Sequence, residues 1–330
     1  MNARDLTSTL VTADLREPIV SGRNLVWCAT FPLAWNELLD VFGEDIYFKD
    51  MASQPALLTS LNEWLVTRDD LDDASYVAMA GQVEDDILGQ IRETMAQKSP
   101  EAQPVLPEIK PDRKGIIVAY AYLLKNLLFP ERFERITDPL DFGGTPILCF
   151  GISGKTSVDP QVLRQVKVLD YQHNDDFVIE LITRSEADQI IMAKVHPEAT
   201  LEATIDAVLA RSVSGSSGSL TENDVLKVPM MNFRLERSFD ELIDHPFDSR
   251  LLENEYVIFM ARQDVRFELN EAGVRLESQA TIGAMVTSAP PEPKRLVFDK
   301  PFLFLMKLRS ADRPYFAMWI DNPELLGKAD

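Results

Sequence analysis

The sequence predicts an α+β fold, on three observations. Apolar residues recur at helical spacing in several segments before residue 96, period-two and short apolar runs crowd the later part of the chain, and the two kinds of segment interleave between. With 330 residues, 45% of them apolar, the chain can bury either two ordinary cores or one large one.

Taken in order, Trp35–Phe42 and Leu57–Val66 carry apolar residues at helical spacing, and Val83–Met95 places Ile87, Leu88, Ile91 and Met95 on one side. These predict helices that cover a sheet. Pro100, Pro104, Pro107 and Pro111 among polar residues predict a long loop ahead of a strand over Ile116–Lys125. Phe177–Leu181 and Gln189–Val195 read as strands flanking a hairpin turn at Arg184–Asp188, and Leu201–Leu209 follows as a helix. Ser212–Ser219 (SVSGSSGS) is low in complexity and predicts a flexible surface connection.

From Phe267 to Lys307 two strand-like runs are joined by a long tether whose first half itself alternates. Val274, Leu276, Ser278, Ala280, Ile282, Ala284 and Val286 form one small or apolar face; Arg275, Glu277, Gln279 and Thr281 begin the other. The alternation ends at Pro290, Pro291 and Pro293, which lack the N–H that a strand ladder needs. Such a segment has two conformations open to it, loop or strand.

Glu268–Gly273 (ELNEAG) followed by Val297–Phe304 (VFDKPFLF) resembles the hinge and the post-loop strand of the serpin family. Further segments resemble that family in the same order. Asn24–Ala34 (NLVWCATFPLA) is similar to its asparagine-led buried strand, with Thr30 and Phe31 where a serine is expected before Pro32. Val83–Ile91 is similar to the helix over its main sheet, Ile116–Lys125 to the strand after that helix, Val225–Phe239 to its "lPkFkle-sydl" run, and Asp321–Pro323 to its ending. The family's tryptophan near Asn126–Leu128 is absent, and the stretch between the asparagine-led strand and Ile116 is shorter than usual, implying a shortened N-terminal half.

The resemblance implies a serpin-like single domain over residues 1–330, with 1–20 as an N-terminal segment and 273–296 as the tether. It implies a large, mostly antiparallel main sheet holding Ile116–Leu124 and Val257–Leu269, a smaller second sheet region and covering helices. Phe298, Phe302, Phe304, Trp319, Val228 and Phe233 are the expected core. It also implies a reactive-loop hinge at Glu271, Gly273, Val274 and Leu276, and a bait region at Met285, Val286, Thr287 and Ser288. In inhibitory members a protease cleaves the loop, and the freed segment enters the sheet before the acyl-enzyme hydrolyses. Rapid entrance favours small side chains. Here Leu276 is bulky on the inward face and Arg275 and Glu277 are long and charged. A non-inhibitory binding or interaction protein is therefore expected; the alternative is a suicide inhibitor of a serine or cysteine protease.

Other classes are disfavoured by composition. A net charge of −20 argues against nucleic acid as partner. Cys28 and Cys149 each sit in an apolar run and read as buried thiols rather than a disulfide framework. No apolar run reaches membrane-spanning length and the first residues do not resemble a signal sequence, so a cytoplasmic protein without membrane contact is expected. No phosphate loop, HExxH, nucleophile elbow or zinc-spaced cysteine pair occurs. His173, His196 and His245 are scattered beside turn residues, and the acidic pairs lack a calcium-loop pattern. Neither an enzyme, a cofactor nor a metal is expected; the partner expected is a protease or another protein, met through the loop.

Overall fold

The computed structural model describes residues 6–98, 100, 104, 106–109, 115–154, 158–215, 218–249, 251–252, 255–272 and 293–329. The first half runs β1 (Thr9–Thr12), β2 (Asn24–Cys28), α1 (Thr30–Phe42), α2 (Ala56–Leu61), β3 (Tyr76–Gln82), α3 (Ile87–Lys98), β4 (Ile117–Leu123), β5 (Glu134–Phe142) and β6 (Thr145–Ile152). There follow α4 (Pro160–Arg164), β7 (Val166–His173), β8 (Asp176–Leu181), β9 (Asp188–Lys194), α5 (Leu201–Ser214), β10 (Gly218–Ser219), β11 (Val225–Pro229) and β12 (Met231–Ser238). The chain closes with β13 (Pro246–Asp248), β14 (Glu255–Val257), β15 (Arg262–Leu269), β16 (Arg295–Val297), β17 (Phe302–Leu308) and β18 (Pro314–Ile320).

The unbroken apolar runs FLFLMKL and PYFAMWI become β17 and β18, buried on both faces at the centre of an eight-stranded sheet. Its order is β1-β2-β18-β17-β9-β8-β7-β10, antiparallel throughout except between β1 and β2. A four-stranded sheet, β16-β11-β6-β5, packs near it, and three two-stranded ribbons complete the architecture: β3 with β4, β12 with β15, and β13 with β14. The fold is thus α+β with a large, mostly antiparallel sheet, smaller sheets and covering helices. Phe298, Phe302, Phe304, Trp319, Val228 and Phe233 are all buried in one core that draws residues from Val11 to Leu326. Cys28 and Cys149 are buried and free.

The strands expected to share the main sheet do not pair with each other. Among the described residues β4 pairs only with β3, and β15 only with β12. The reason lies in β15, whose residues alternate between Gln263, Val265, Phe267 and Leu269 facing inward and Arg262, Asp264, Arg266 and Glu268 facing outward. Phe267 stacks on Phe316 and meets Phe304 edge-on, so the β12–β15 ribbon lies face to face on the large sheet rather than extending it. The run Val257–Leu269 is also broken. The carbonyls of Ile258 and Ala261 accept from the N–H groups of Asp244 and Phe239, which takes this stretch out of any ladder.

Other boundaries shift for local reasons. The helix over 57–66 stops at Leu61, and Trp64 lies beyond it at φ 53°. The helix over 83–95 begins at Ile87 because Val83–Asp85 forms a 3₁₀ turn closed by Asp86 at φ 60°. The described residues of 212–219 are not a free connection. Ser212 and Ser214 continue α5, their hydroxyls donating to the carbonyls four residues back. Gly218 and Ser219 then pair with β7 at the sheet edge. The tether expected to reach residue 296 is shorter at its end, since Arg295 already enters β16.

Candidate functional site

Of the residues singled out in the tether, Glu271 is described; Gly273, Val274, Leu276, Met285, Val286, Thr287 and Ser288 lie outside the described residues. Glu271 follows β15 and its side chain is buried, 2.5 Å from the guanidinium of Arg132. Its carbonyl accepts from the Phe133 N–H at 2.9 Å. Burial pushes the Glu271 carboxyl up, but the hydrogen bond from Arg132, aided by its own backbone and by the charges of Arg132 and Arg135, holds it below its ordinary value. Asn270 forms a local turn beside it, donating to Glu268 and accepting from the Ala272 N–H.

Among the described residues no hydrogen bond joins β4 to β15. Asp264 lies near enough to Tyr120, and Arg266 to Tyr122, for their charges to act on the two phenols. Burial is the larger influence on both tyrosines and raises them. Each of the two strands thus has one edge unpaired among the described residues. Helix α1 packs beneath β3 and β4 and touches β15. There the buried Gln263 amide donates to the Cys28 carbonyl at 3.0 Å and to the Thr30 hydroxyl at 2.9 Å. The threonine standing in place of the expected serine thus supplies the acceptor that registers β15 on α1. Beyond the end of β15, the Phe133–Glu271 bond and the Arg132 ion pair tie the chain to the residues just ahead of β5.

The far side of the tether is fastened differently. Lys194, at the end of β9, is 3% exposed and holds Asp175 at 2.7 Å and Asp299 at 2.6 Å. It also donates to the carbonyls of Val297 and Asn174. Lys300 reaches Asp175 as well, at 2.6 Å. Hydrogen bonds from Lys194 first, and from Lys300 second, bring the Asp175 carboxyl down to about 2. Sequence reading missed Arg132, Gln263 and Lys194. A lone Lys at the end of an apolar run, as in IIMAKV, is the one signal that pointed to a buried cation.

A cavity of about 10 Å³ is lined by Trp27, Asn36, Ser60 and Val66 among others, with space for about one water. Among the described residues no group of three or more His, Cys, Asp or Glu is placed to hold a metal ion.

No family model and no curated protein matches the chain. Among solved structures it is similar to Serpin48, a highly specific serpin of the insect Tenebrio molitor, at 10% identity over 92% of each chain with a TM-score of 0.47. It is similar also to thyroxine-binding globulin in complex with thyroxine, at 12% identity over 91% of this chain and 93% of that one, again with a TM-score of 0.47.

Proposed function

We propose that the chain is a serpin-fold binding or interaction protein, one domain over residues 1–330, which engages a protein partner through the segment after Gly273 without trapping a protease. The order of family-like segments along the sequence supports the fold assignment. The observation that carries the functional reading is the fastening of the chain just after β15. Glu271, the residue from which the segment departs, is buried and fastened by both side chain and backbone to Arg132 and Phe133. Any chain entering from that end must first break those contacts, and then bring bulky Leu276 inward and carry Arg275 and Glu277 past the edges. That slows the step an inhibitor needs to be fast.

The unpaired edges of β4 and β15 favour the second reading, a suicide inhibitor. A strand that enters between them satisfies both edges. The two readings separate in one experiment: incubation with a panel of serine and cysteine proteases, followed by denaturing electrophoresis and a melt of the nicked protein. The binding-protein reading expects no denaturant-resistant complex and little change in Tm after cleavage near Met285. A covalent complex, or a large rise in Tm abolished by Val274→Asp with Leu276→Asp, establishes insertion and overturns it.

A further inference from the structure

We infer that the outer face of the β13–β14 hairpin, with residues 257–260 after it, is a docking surface for a protein segment that presents apolar side chains flanked by lysines and arginines. Val257, Phe259 and Met260 are 49%, 43% and 41% exposed, three large apolar side chains within four residues. Their exposure is fixed by what their neighbours do. Tyr256 packs on Phe42 and Phe247, and Ile258 and Ala261 are buried. The carbonyls of Ile258 and Ala261 accept from Asp244 at 2.9 Å and from Phe239 at 2.8 Å. With 256, 258 and 261 anchored inward on a hydrogen-bonded backbone, 257, 259 and 260 are held outward. Three large apolar side chains held outward within four residues supply the apolar centre that an interface uses.

The rim gives the partner its charge. Asp244, whose N–H bonds to Ile258, is exposed, as are Asp248 and Glu255 on the hairpin and Asp50 beside His245. Lys49 holds Asp248 and Glu255 at 3.0 and 2.9 Å and offsets one of their two charges, so the rim's excess negative charge is carried by the other together with Asp244 and Asp50; Arg237 is engaged with Glu241, and Arg262 with Asp264 and Glu236. An apolar centre inside an acidic rim, on a chain of net charge −20, repels a second copy, a nucleic acid and an anionic lipid surface alike. It attracts a polypeptide whose apolar residues lie between basic ones.

The test uses the full chain and a fluorescent synthetic peptide that forms an amphipathic helix, leucines on one face and lysines along its flanks, followed by anisotropy at low and moderate salt. A Phe259→Ser, Met260→Ser variant is expected to bind at least tenfold more weakly than the wild type, with its net charge unchanged. Asp244→Asn with Glu255→Gln is expected to flatten the salt dependence; Asn is compatible with the φ of 65° at position 244. A remote acidic pair, Asp206→Asn with Glu222→Gln, is expected to change neither. Equal affinity for the wild type and the Phe259→Ser, Met260→Ser variant reduces the attraction to net charge and overturns the assignment. A wild-type dimer that this variant dissolves overturns it too, by making the occupant a second copy.

Discussion

Replacing Lys194 by Met tests the mooring of the chain on the far side of the tether. Methionine keeps most of the aliphatic stem of this side chain, which is 3% exposed, but removes the ammonium that lies over the Phe177 ring. Taking one partner from a buried ion pair costs about 3–5 kcal/mol when the orphaned charge stays buried. Here the orphans are Asp175 and Asp299, 46% and 39% exposed, which water can reach, and Asp175 keeps Lys300. The expected loss is therefore about 1–3 kcal/mol in denaturant unfolding, with faster amide exchange concentrated in 294–300.

The pH dependence follows the same charges. The Asp175 carboxyl is depressed from an ordinary 3.8 to about 2, so its contribution is complete above about pH 4 and fades as pH falls from 3.8 towards 2. At full strength that displacement is worth roughly 2.5 kcal/mol. Solvent screening at a half-exposed carboxylate reduces it to about 1 kcal/mol. Because Lys194 is the larger of the two causes, the gap between wild type and variant should narrow through that window. Equal stability at pH 7, or a loss with unchanged exchange at 294–300, refutes the mooring.

Arg132→Ala leaves Glu271 without its cation and should cost about 1–2 kcal/mol at pH 7, with faster exchange at the Phe133 amide. Since the Glu271 carboxyl lies below its ordinary 4.5, that cost should be full above about pH 4.5 and shrink as pH falls further; a pH-independent cost sinks the ion-pair account. Gly151→Ala puts a Cβ 2.1 Å from the Leu226 carbonyl oxygen at φ 148°, so the β6–β11 pairing should open and stability fall by about 3 kcal/mol or more, measured by denaturant melts. Leu305→Ala, fully buried in β17 at the centre of the large sheet, should cost about 2–5 kcal/mol in the same assay, and a loss under 1 kcal/mol contradicts the packing described.

What the sequence made legible is what local pattern controls. The runs 177–181 and 189–195 appear within a residue or so as β8 and β9, because a short apolar run between turn residues has few other uses. The core phenylalanines after residue 297 follow from the same pattern. The ribbons were not legible, because a strand such as Ile117–Leu123 reads alike whether it has one neighbour or two; the count depends on what lies beside it in space. Helix ends at Leu61 and Ile87 were missed because left-handed Trp64 and Asp86 are residue types without the glycine signal. Arg132 and Gln263 were illegible for a third reason. Each acts on a group far away in sequence, Glu271 in one case and the Cys28–Thr30 backbone and hydroxyl in the other.

The two fastenings of the segment between Ala272 and Pro293 are unequal, and the inequality bears on function. On the near side Glu271 is held by one backbone bond and by one ion pair whose cation, Arg132, is 69% exposed. On the far side Lys294 donates to Asp224 at 2.6 Å, its carbonyl accepts from Val225, Arg295 donates to Asn174, and β16 pairs with β11 over three residues, all over the Lys194 cluster. The far side has several backbone hydrogen bonds and a strand pairing where the near side has one backbone bond. If the segment is cut, the piece attached to β16 therefore stays where it is, and the piece attached to β15 is the one free to change partners. To pair with the free edges of β4 and β15 it must first break the Arg132–Glu271 contact. Arg132→Ala should accordingly raise the Tm of the nicked protein relative to nicked wild type if those edges accept a strand. If the Tm of the nicked variant instead drops by the same amount as that of the intact variant, entry is opposed by more than this contact and the binding-protein reading gains.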